Sequence, residues 1–317
     1  MYYVRKMLYL VKDPLYRSFR YDIFLKYGFT ILKMEHKFFP DGETYIRFLD
    51  DIDPEGYYLV IIRGYPEQDR NIIRALFILE TLKDLGARKI YLCLPYMPYS
   101  RQDKRFLPGE AISAQIIART ILDRGADIII TIDVHNEAAY HQLNNRFVNI
   151  RSTDLWCSYI RKNLPDRDIC IISPDIGRKG FIKELGEKCN ATTLSFMKVR
   201  DPHTGKILHH EPEDPDAYRD VLKNRDTIII IDDIIATGGT VAGVARRIRR
   251  DGFQGKIYTF FTHGLFLGNA YDKLMYAGVD HVICTDTVDN PFIHEDVCVG
   301  KLILNFLEKK GLLPYVK

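Results

Sequence analysis

An α/β fold built as two similar lobes, each a mainly parallel sheet flanked by helices, is what this sequence predicts. Three observations carry it. Short Ile/Val-rich runs alternate with amphipathic segments along almost the whole chain, the runs are continuously apolar, and two stretches of sequence echo each other. A continuous apolar run marks a strand covered on both faces, as in a parallel sheet between helices.

Taken in order, strands are expected at Leu8–Val11, Tyr57–Ile62, Ile90–Leu94, Ile128–Ile132, Ile169–Ile172, Thr227–Ile231, Ile257–Phe261 and His281–Cys284. Between them, helical periodicity covers Ile72–Leu85, Ala111–Asp123, Phe181–Cys189, Val241–Arg250 and Ala270–Tyr276. The segment Gly125 to Asp133 (GADIIITID) is echoed by Gly278 to Asp286 (GVDHVICTD). Gly86 to Tyr91 likewise resembles Gly252 to Tyr258, each ending in Lys-Ile-Tyr. Two similar halves, residues 1–150 and 151–317, are the simplest account. Ligands of open parallel sheets bind beyond the carboxyl ends of the strands, so chemistry is expected in the loops that follow them.

Composition narrows the function. At 317 residues, 46% hydrophobic and 27% charged, the chain suits two packed lobes with no long disordered tract. A net charge of +3 argues against nucleic acid as the main partner. The six cysteines are scattered with no C-x-x-C pair, as expected of reduced, buried thiols. No apolar run approaches the ~20 residues needed to span a bilayer, and Met1 to Leu10 has no signal-peptide core. A cytoplasmic protein with no membrane partner is expected.

The strongest chemical signal is the run of four isoleucines, Ile228 to Ile231, leading into Asp232-Asp233-Ile234-Ile235-Ala236-Thr237-Gly238-Gly239-Thr240. Gly238 and Gly239 let backbone N–H groups turn toward an anion, and the helix that follows adds its positive N-terminal dipole. Thr237 and Thr240 supply hydroxyl donors. Asp232 and Asp233 suit vicinal hydroxyls or a divalent cation rather than a phosphate. An acidic N-cap on a tight turn would explain Thr-Gly-Gly alone. The whole string points to a phosphorylated sugar with a free diol, such as ribose 5-phosphate.

There is no G-x-x-x-x-G-K-[ST] and no G-x-G-x-x-G, so a nucleotide would be held without either glycine-rich signature. Three other segments stand out. Phe38-Phe39-Pro40-Asp41-Gly42-Glu43 joins an aromatic pair to two carboxylates, although Pro-Asp-Gly by itself is a turn former. Pro95 to Lys104 (PYMPYSRQDK) follows a strand, and its two tyrosines and Arg101-Gln102-Asp103 run could together stack on a base and pair with phosphates, although alone it reads as a solvated loop. Asp133-Val134-His135 also closes a strand. A lone histidine there is more often structural than a ligand.

The loop from Asp232 to Thr240 resembles the PRPP-binding motif shared by type I phosphoribosyltransferases and PRPP synthases. It departs from that motif at Ala236, where many members carry a third acidic residue. With the three earlier segments in this order, the chain is similar to the ribose-phosphate pyrophosphokinase (PRPP synthase) family over essentially its whole length, in an archaeal-type form.

The resemblance implies two lobes of the type I phosphoribosyltransferase-like fold, with ATP on the first and ribose 5-phosphate on the second. It implies the reaction ATP plus ribose 5-phosphate to AMP plus PRPP, with Mg²⁺ as cofactor. Phe39, Asp41 and Glu43 then reach the adenine from a neighbouring subunit, in a homo-oligomer with shared ATP sites. Arg101 and Gln102 bind ATP, and His135 binds ATP and its metal. Asp175, in Ser173-Pro174-Asp175, takes part in a second metal site. Lys198 and Arg200 are the catalytic cations at the edge of the polar segment Asp201 to Gly205, which reads as a mobile loop. Ile176-Gly177-Arg178 stands where many relatives carry consecutive glycines.

Two competing readings remain open. A PRPP-consuming phosphoribosyltransferase would leave the Arg101-Gln102 and Asp133–His135 segments without a role. A non-catalytic regulatory relative would be expected to lose catalytic cations or metal ligands, which this sequence keeps.

Overall fold

The computed structural model describes residues 7–165, 167–200 and 207–313. The chain forms two compact units. One runs to Arg151 and adds Thr287–Asp289 and the segment from Cys298; the other comprises Ser152–Asp286 and Asn290–Val297.

In the first unit the elements are β1 (Leu8–Lys12), α1 (Asp22–Tyr27), β2 (Thr30–Ile31), β3 (Met34–Phe38), β4 (Thr44–Phe48), β5 (Tyr57–Ile61) and α2 (Gln68–Asp84). They continue with β6 (Lys89–Cys93), α3 (Ser113–Asp123), β7 (Ile128–Ile132) and β8 (Phe147–Ile150). A six-stranded sheet in the order β2-β1-β5-β6-β7-β8 is parallel throughout. One of its faces is sealed by Val60, Ile62, Leu92 and Ile129 against Ile78, Leu82, Ala118 and Ile121 of α2 and α3. β3 and β4 stand apart as an antiparallel hairpin.

The second unit contains α4 (Thr153–Asn163), β9 (Ile169–Ser173), α5 (Lys179–Cys189), β10 (Thr192–Arg200), β11 (Ile207–Pro212) and α6 (Pro215–Asn224). β12 (Thr227–Ile235), α7 (Gly239–Arg250), β13 (Lys256–Gly264), α8 (Ala270–Tyr276) and β14 (His281–Cys284) complete it. Its sheet runs β11-β10-β9-β12-β13-β14, parallel except for β11. The continuous isoleucine runs are used on both faces. Cys170, Ile172, Ile228 and Ile230 enter one core, while Ile169, Ile171, Ile229 and Ile231 enter the other.

The internal repeat is visible in the topology. Strands β2-β1-β5-β6-β7 of the first sheet have the same order and direction as β10-β9-β12-β13-β14 of the second. The echoed segments fall on β7 and β14, and on the approaches to β6 and β13. The last helix, α9 (Gly300–Lys309), departs from the expected 151–317 division because it belongs to the first unit. Tyr27 there donates to Glu308 at 2.9 Å. A side chain at Gly300 would meet Ile23 and Phe24 of α1.

Candidate active site

The second unit gathers most of the expected polar residues. β12 runs on through Ile235, paired with β13 as far as Gly264, so Asp232 and Asp233 lie within the strand and not after it. The isoleucine run alone would end the strand at Ile231. Ladder bonds at Ile234 and Ile235 carry it further. The turn then enters α7 through Gly238 at φ 73°, a left-handed conformation in which a Cβ would also press on the Ala270 carbonyl oxygen at 3.0 Å. Gly239 and Thr240 open the helix, whose first N–H groups have no partner within it. The expected anion cradle thus falls on a glycine-led helix N-terminus, the kind of backbone that can receive a phosphate.

Around it stand the carboxylates and cations. Asp175 ends the turn after β9 and caps the short 3-10 turn Ile176–Arg178, accepting from Gly177 N at 3.0 Å through Oδ1. Its other oxygen accepts from Lys198 Nζ at 2.8 Å, bringing β10 to the same place. Arg178 lies 3.6 Å from Asp233 Oδ2 and over the Phe181 ring at 4.2 Å. Burial and the neighbouring charge of Asp233 push the Asp232 carboxyl well above the usual carboxylate range, against the opposing pull of Arg178. Lys198 sits in a strand rather than a loop, because β10 pairs with β11 from Phe196↔Pro212 to Arg200↔Ile207 with an irregularity at Val199/Arg200. Arg200 closes β10, and the expected loop from Asp201 to Gly205 lies outside the described residues.

The first unit holds the remaining residues in two places. Phe39, Asp41 and Glu43 form the exposed tip of the β3–β4 hairpin, closed by Phe39 N to Glu43 O at 2.9 Å and Glu43 N to Asp41 Oδ1 at 3.1 Å. Phe39 is braced edge-on by Tyr45 at 5.6 Å. Elsewhere, the loop after β6 and the loop after β7 are tied by Asn136 Nδ2 donating to Asp103 Oδ2. Arg101 is exposed on the first loop and His135 on the second. Gln102 donates to Lys104 O at 3.2 Å and Glu110 Oε2 at 3.3 Å. The same Glu110 oxygen accepts from Phe106 N and Leu107 N, which hold its carboxyl below the usual range. That carboxylate shapes the segment carrying Arg101 and Gln102, and no motif in the sequence marks it.

Similarity to known proteins agrees with this geometry. Residues 10–125 match the family of N-terminal domains of ribose phosphate pyrophosphokinase. A ribose-phosphate pyrophosphokinase of Sulfurisphaera tokodaii is 37% identical over 259 residues, 81% of this chain and 85% of that protein. The chain belongs to the ribose-phosphate pyrophosphokinase family.

A further member of the family, from Methanopyrus kandleri, is 32% identical over 275 residues, covering 87% of this chain and 90% of its own. The crystal structure of phosphoribosylpyrophosphate synthetase from Mycobacterium smegmatis superposes with a TM-score of 0.82 at 23% identity, over 97% of this chain and 99% of that one. That likeness establishes the two-lobed fold.

Within the family frame, Arg178 becomes legible. Its charge has no evident role in the sequence, and the structure seats it against Asp233. Among the described residues, no group of three or more His, Cys, Asp or Glu side chains is arranged to hold a metal ion. Mg²⁺ is commonly held by one or two carboxylates plus substrate phosphates. The hard oxygens of Asp175 fit that partial role. No helix among the described residues is long and apolar enough to cross a membrane.

Proposed function

We propose that this chain is a ribose-phosphate diphosphokinase, converting ATP and ribose 5-phosphate to AMP and PRPP for nucleotide biosynthesis. The observation that carries the reading is the meeting of Asp232 and Asp233, the turn from Thr237 to Thr240 and the Lys198–Asp175 pair in one part of the second unit. Asp232 and Asp233 accept hydrogen bonds from the ribose hydroxyls. Thr237, Gly238, Gly239 and Thr240 hold the 5-phosphate on the N-terminus of α7.

On the nucleotide side, Arg101, Gln102 and His135 contact ATP, and Phe39, Asp41 and Glu43 reach the adenine of a neighbouring copy in a homo-oligomer. His135 would hold the Mg²⁺ carried by ATP and Asp175 would serve a second metal site, the metal supplying neutralisation of phosphate charge. The anomeric oxygen forms a bond to the β-phosphorus as the bond from that phosphorus to the α,β-bridging oxygen breaks, and AMP leaves with the bridging oxygen. The protein's part is positioning and charge stabilisation, with Lys198 and Arg200 serving the transferring group. No disulfide joins the cysteines among the described residues, which suits a reducing cytoplasm.

The deciding experiment incubates the purified chain with Mg²⁺, ATP and ribose 5-phosphate and identifies the products. Sugar-dependent AMP with an equal amount of PRPP supports the proposal. ADP would mean γ-phosphoryl transfer, and ATP binding without turnover would favour a regulatory relative.

A further inference from the structure

A cavity of about 710 Å³ opens in the second unit beside the phosphate cradle, lined by Thr237, Gly239 and Thr240 at one end and by His209, His210, Gly243, Arg246, Arg247 and Arg250 beyond. That volume falls within the roughly 300–1,000 Å³ of small-molecule sites and far exceeds the needs of one phosphate. The wall follows one stripe of α7, with Gly239, Gly243, Arg246 and Arg250 recurring at helical spacing. Arg250 stands ten residues past Thr240, about 15 Å along the axis at ~1.5 Å per residue. A group seated on the cradle does not reach it.

Two features mark the far part of this cavity as built for an anion. Arg247 is answered by Asp251 at 2.5 Å, and Arg250 approaches the same carboxylate at 3.9 Å. Arg246 is exposed and has no carboxylate partner among the described residues. Independently, His210 is only 7% exposed, and its Nε2 is buried without a hydrogen-bond partner among the described residues. An orphaned polar atom of this kind is costly to bury unless a ligand satisfies it. Its ring lies against Gly243, where a Cβ would come within 2.7 Å of Nδ1, so the missing side chain makes room for the imidazole in the wall. The charged groups acting on the ring are Lys198, His209 and Arg246, with Asp175 opposing.

We infer that this cavity is a second phosphoryl subsite, in which Arg246 and His210 hold a phosphate dianion separate from the one on the Thr237–Thr240 cradle. Its placement beside a sugar phosphate rests on the function proposed above. The ligand chemistry has two sources: free inorganic phosphate bound alongside the sugar phosphate, or the outer phosphoryl of a diphosphate whose inner group occupies the cradle.

Calorimetry on the full chain separates them. Inorganic phosphate is titrated into protein saturated with ribose 5-phosphate, and inorganic pyrophosphate into protein without sugar. Saturable phosphate binding in the first arm identifies the free anion. Pyrophosphate binding at least tenfold tighter than phosphate in the second identifies the bridging diphosphate. Either signal should weaken tenfold or more in Arg246→Gln, with ribose 5-phosphate affinity changed less than twofold. Gly243→Ala, which drives a methyl into the His210 ring without altering charge, should weaken it as well. The inference is overturned if phosphate is excluded by the sugar and pyrophosphate gains nothing, or if Arg246→Gln leaves both titrations unchanged. Failure of ribose 5-phosphate itself to bind would sink the proposed function alone, because the pyrophosphate arm uses no sugar.

Discussion

Lys198 Nζ donates to Asp175 Oδ2 across 2.8 Å, joining the end of a strand whose partner is antiparallel to the turn that follows β9. Under the proposed roles, a cation serving the transferring group and a carboxylate serving a metal are in direct contact here, so they cannot act independently. Losing one preorganised donor of this kind commonly costs ~3–4 kcal/mol of transition-state stabilisation. Lys198→Ala should therefore lower kcat on the order of a hundredfold or more. Asp175→Asn combined with it should fall well short of the product of the two single losses, because contacting residues couple. Steady-state AMP formation by both single variants and the double variant reads this directly.

Asp232 offers a test with an opposite sign for stability and activity. Its carboxyl is raised in the folded protein, by burial first and by Asp233 second. Between the ordinary carboxyl range and that raised value, the native state binds more protons than the unfolded chain. Stability therefore declines as pH rises through that window and stays reduced above it. Asp232→Asn should raise the melting temperature at pH 7 to 8 and give no gain near pH 3, while abolishing ribose 5-phosphate binding. Arg178→Gln removes the opposing charge, so it should lower the melting temperature at neutral pH and move the acid limb of sugar binding upward. Melting curves across pH, paired with binding assays, check both directions.

Much of this site is legible in the amino-acid sequence alone. The isoleucine runs of β9 and β12 announce buried strands, and Gly238 and Gly239 announce the turn into α7. The strands that periodicity misses share a different character. β10 (TTLSFMKVR), β11 (ILHHEP) and the hairpin strands β3 (MEHKF) and β4 (TYIRF) mix charged and apolar residues: β11 is a sheet edge, β10 is its inner neighbour, and β3 and β4 form a two-stranded sheet of their own. Their pairing is decided by a partner distant in space, which periodicity does not report. The contacts of Arg178, His210 and α9 are tertiary in the same sense. Only the i, i+4, i+7, i+11 stripe of Gly239, Gly243, Arg246 and Arg250 is visible in the chain itself.

In the first unit, Arg74 Nη2 and Asp13 Oδ2 form an ion pair at 2.9 Å with both side chains fully buried. Asp13 also accepts from Leu15 N at 2.9 Å and Arg63 N at 3.0 Å, so its carboxylate fixes the turn after β1. Removing one partner of such a pair strands the other and costs about 3–5 kcal/mol. Arg74→Ala should shift the urea midpoint of the first unit's transition downward by that equivalent. An unchanged midpoint would show that the pair is structurally neutral.

The hairpin tip gives a test of shared ATP sites. Phe39→Ala should raise the KM for ATP tenfold or more without moving that for ribose 5-phosphate. If the tip serves a neighbouring subunit, mixing Phe39→Ala with Lys198→Ala protein at ATP well below the raised KM should give more activity than the sum of the two alone. Additive activity in the mixture would place both residues in the service of one chain.

The two copies of the fold begin their matching helices alike and differently at once. Glu67 precedes α2 at φ 61°, as Gly238 precedes α7 at φ 73°. Yet Glu67 brings a carboxylate that pairs with Arg63 and Arg70, where the other copy has glycine and threonine. The N-terminus of α2 thus carries an Arg63–Glu67–Arg70 cluster in place of a glycine-lined turn. Duplication of the architecture has therefore not duplicated the glycine-lined turn, and a titration with ribose 5-phosphate should reach equivalence at one per chain.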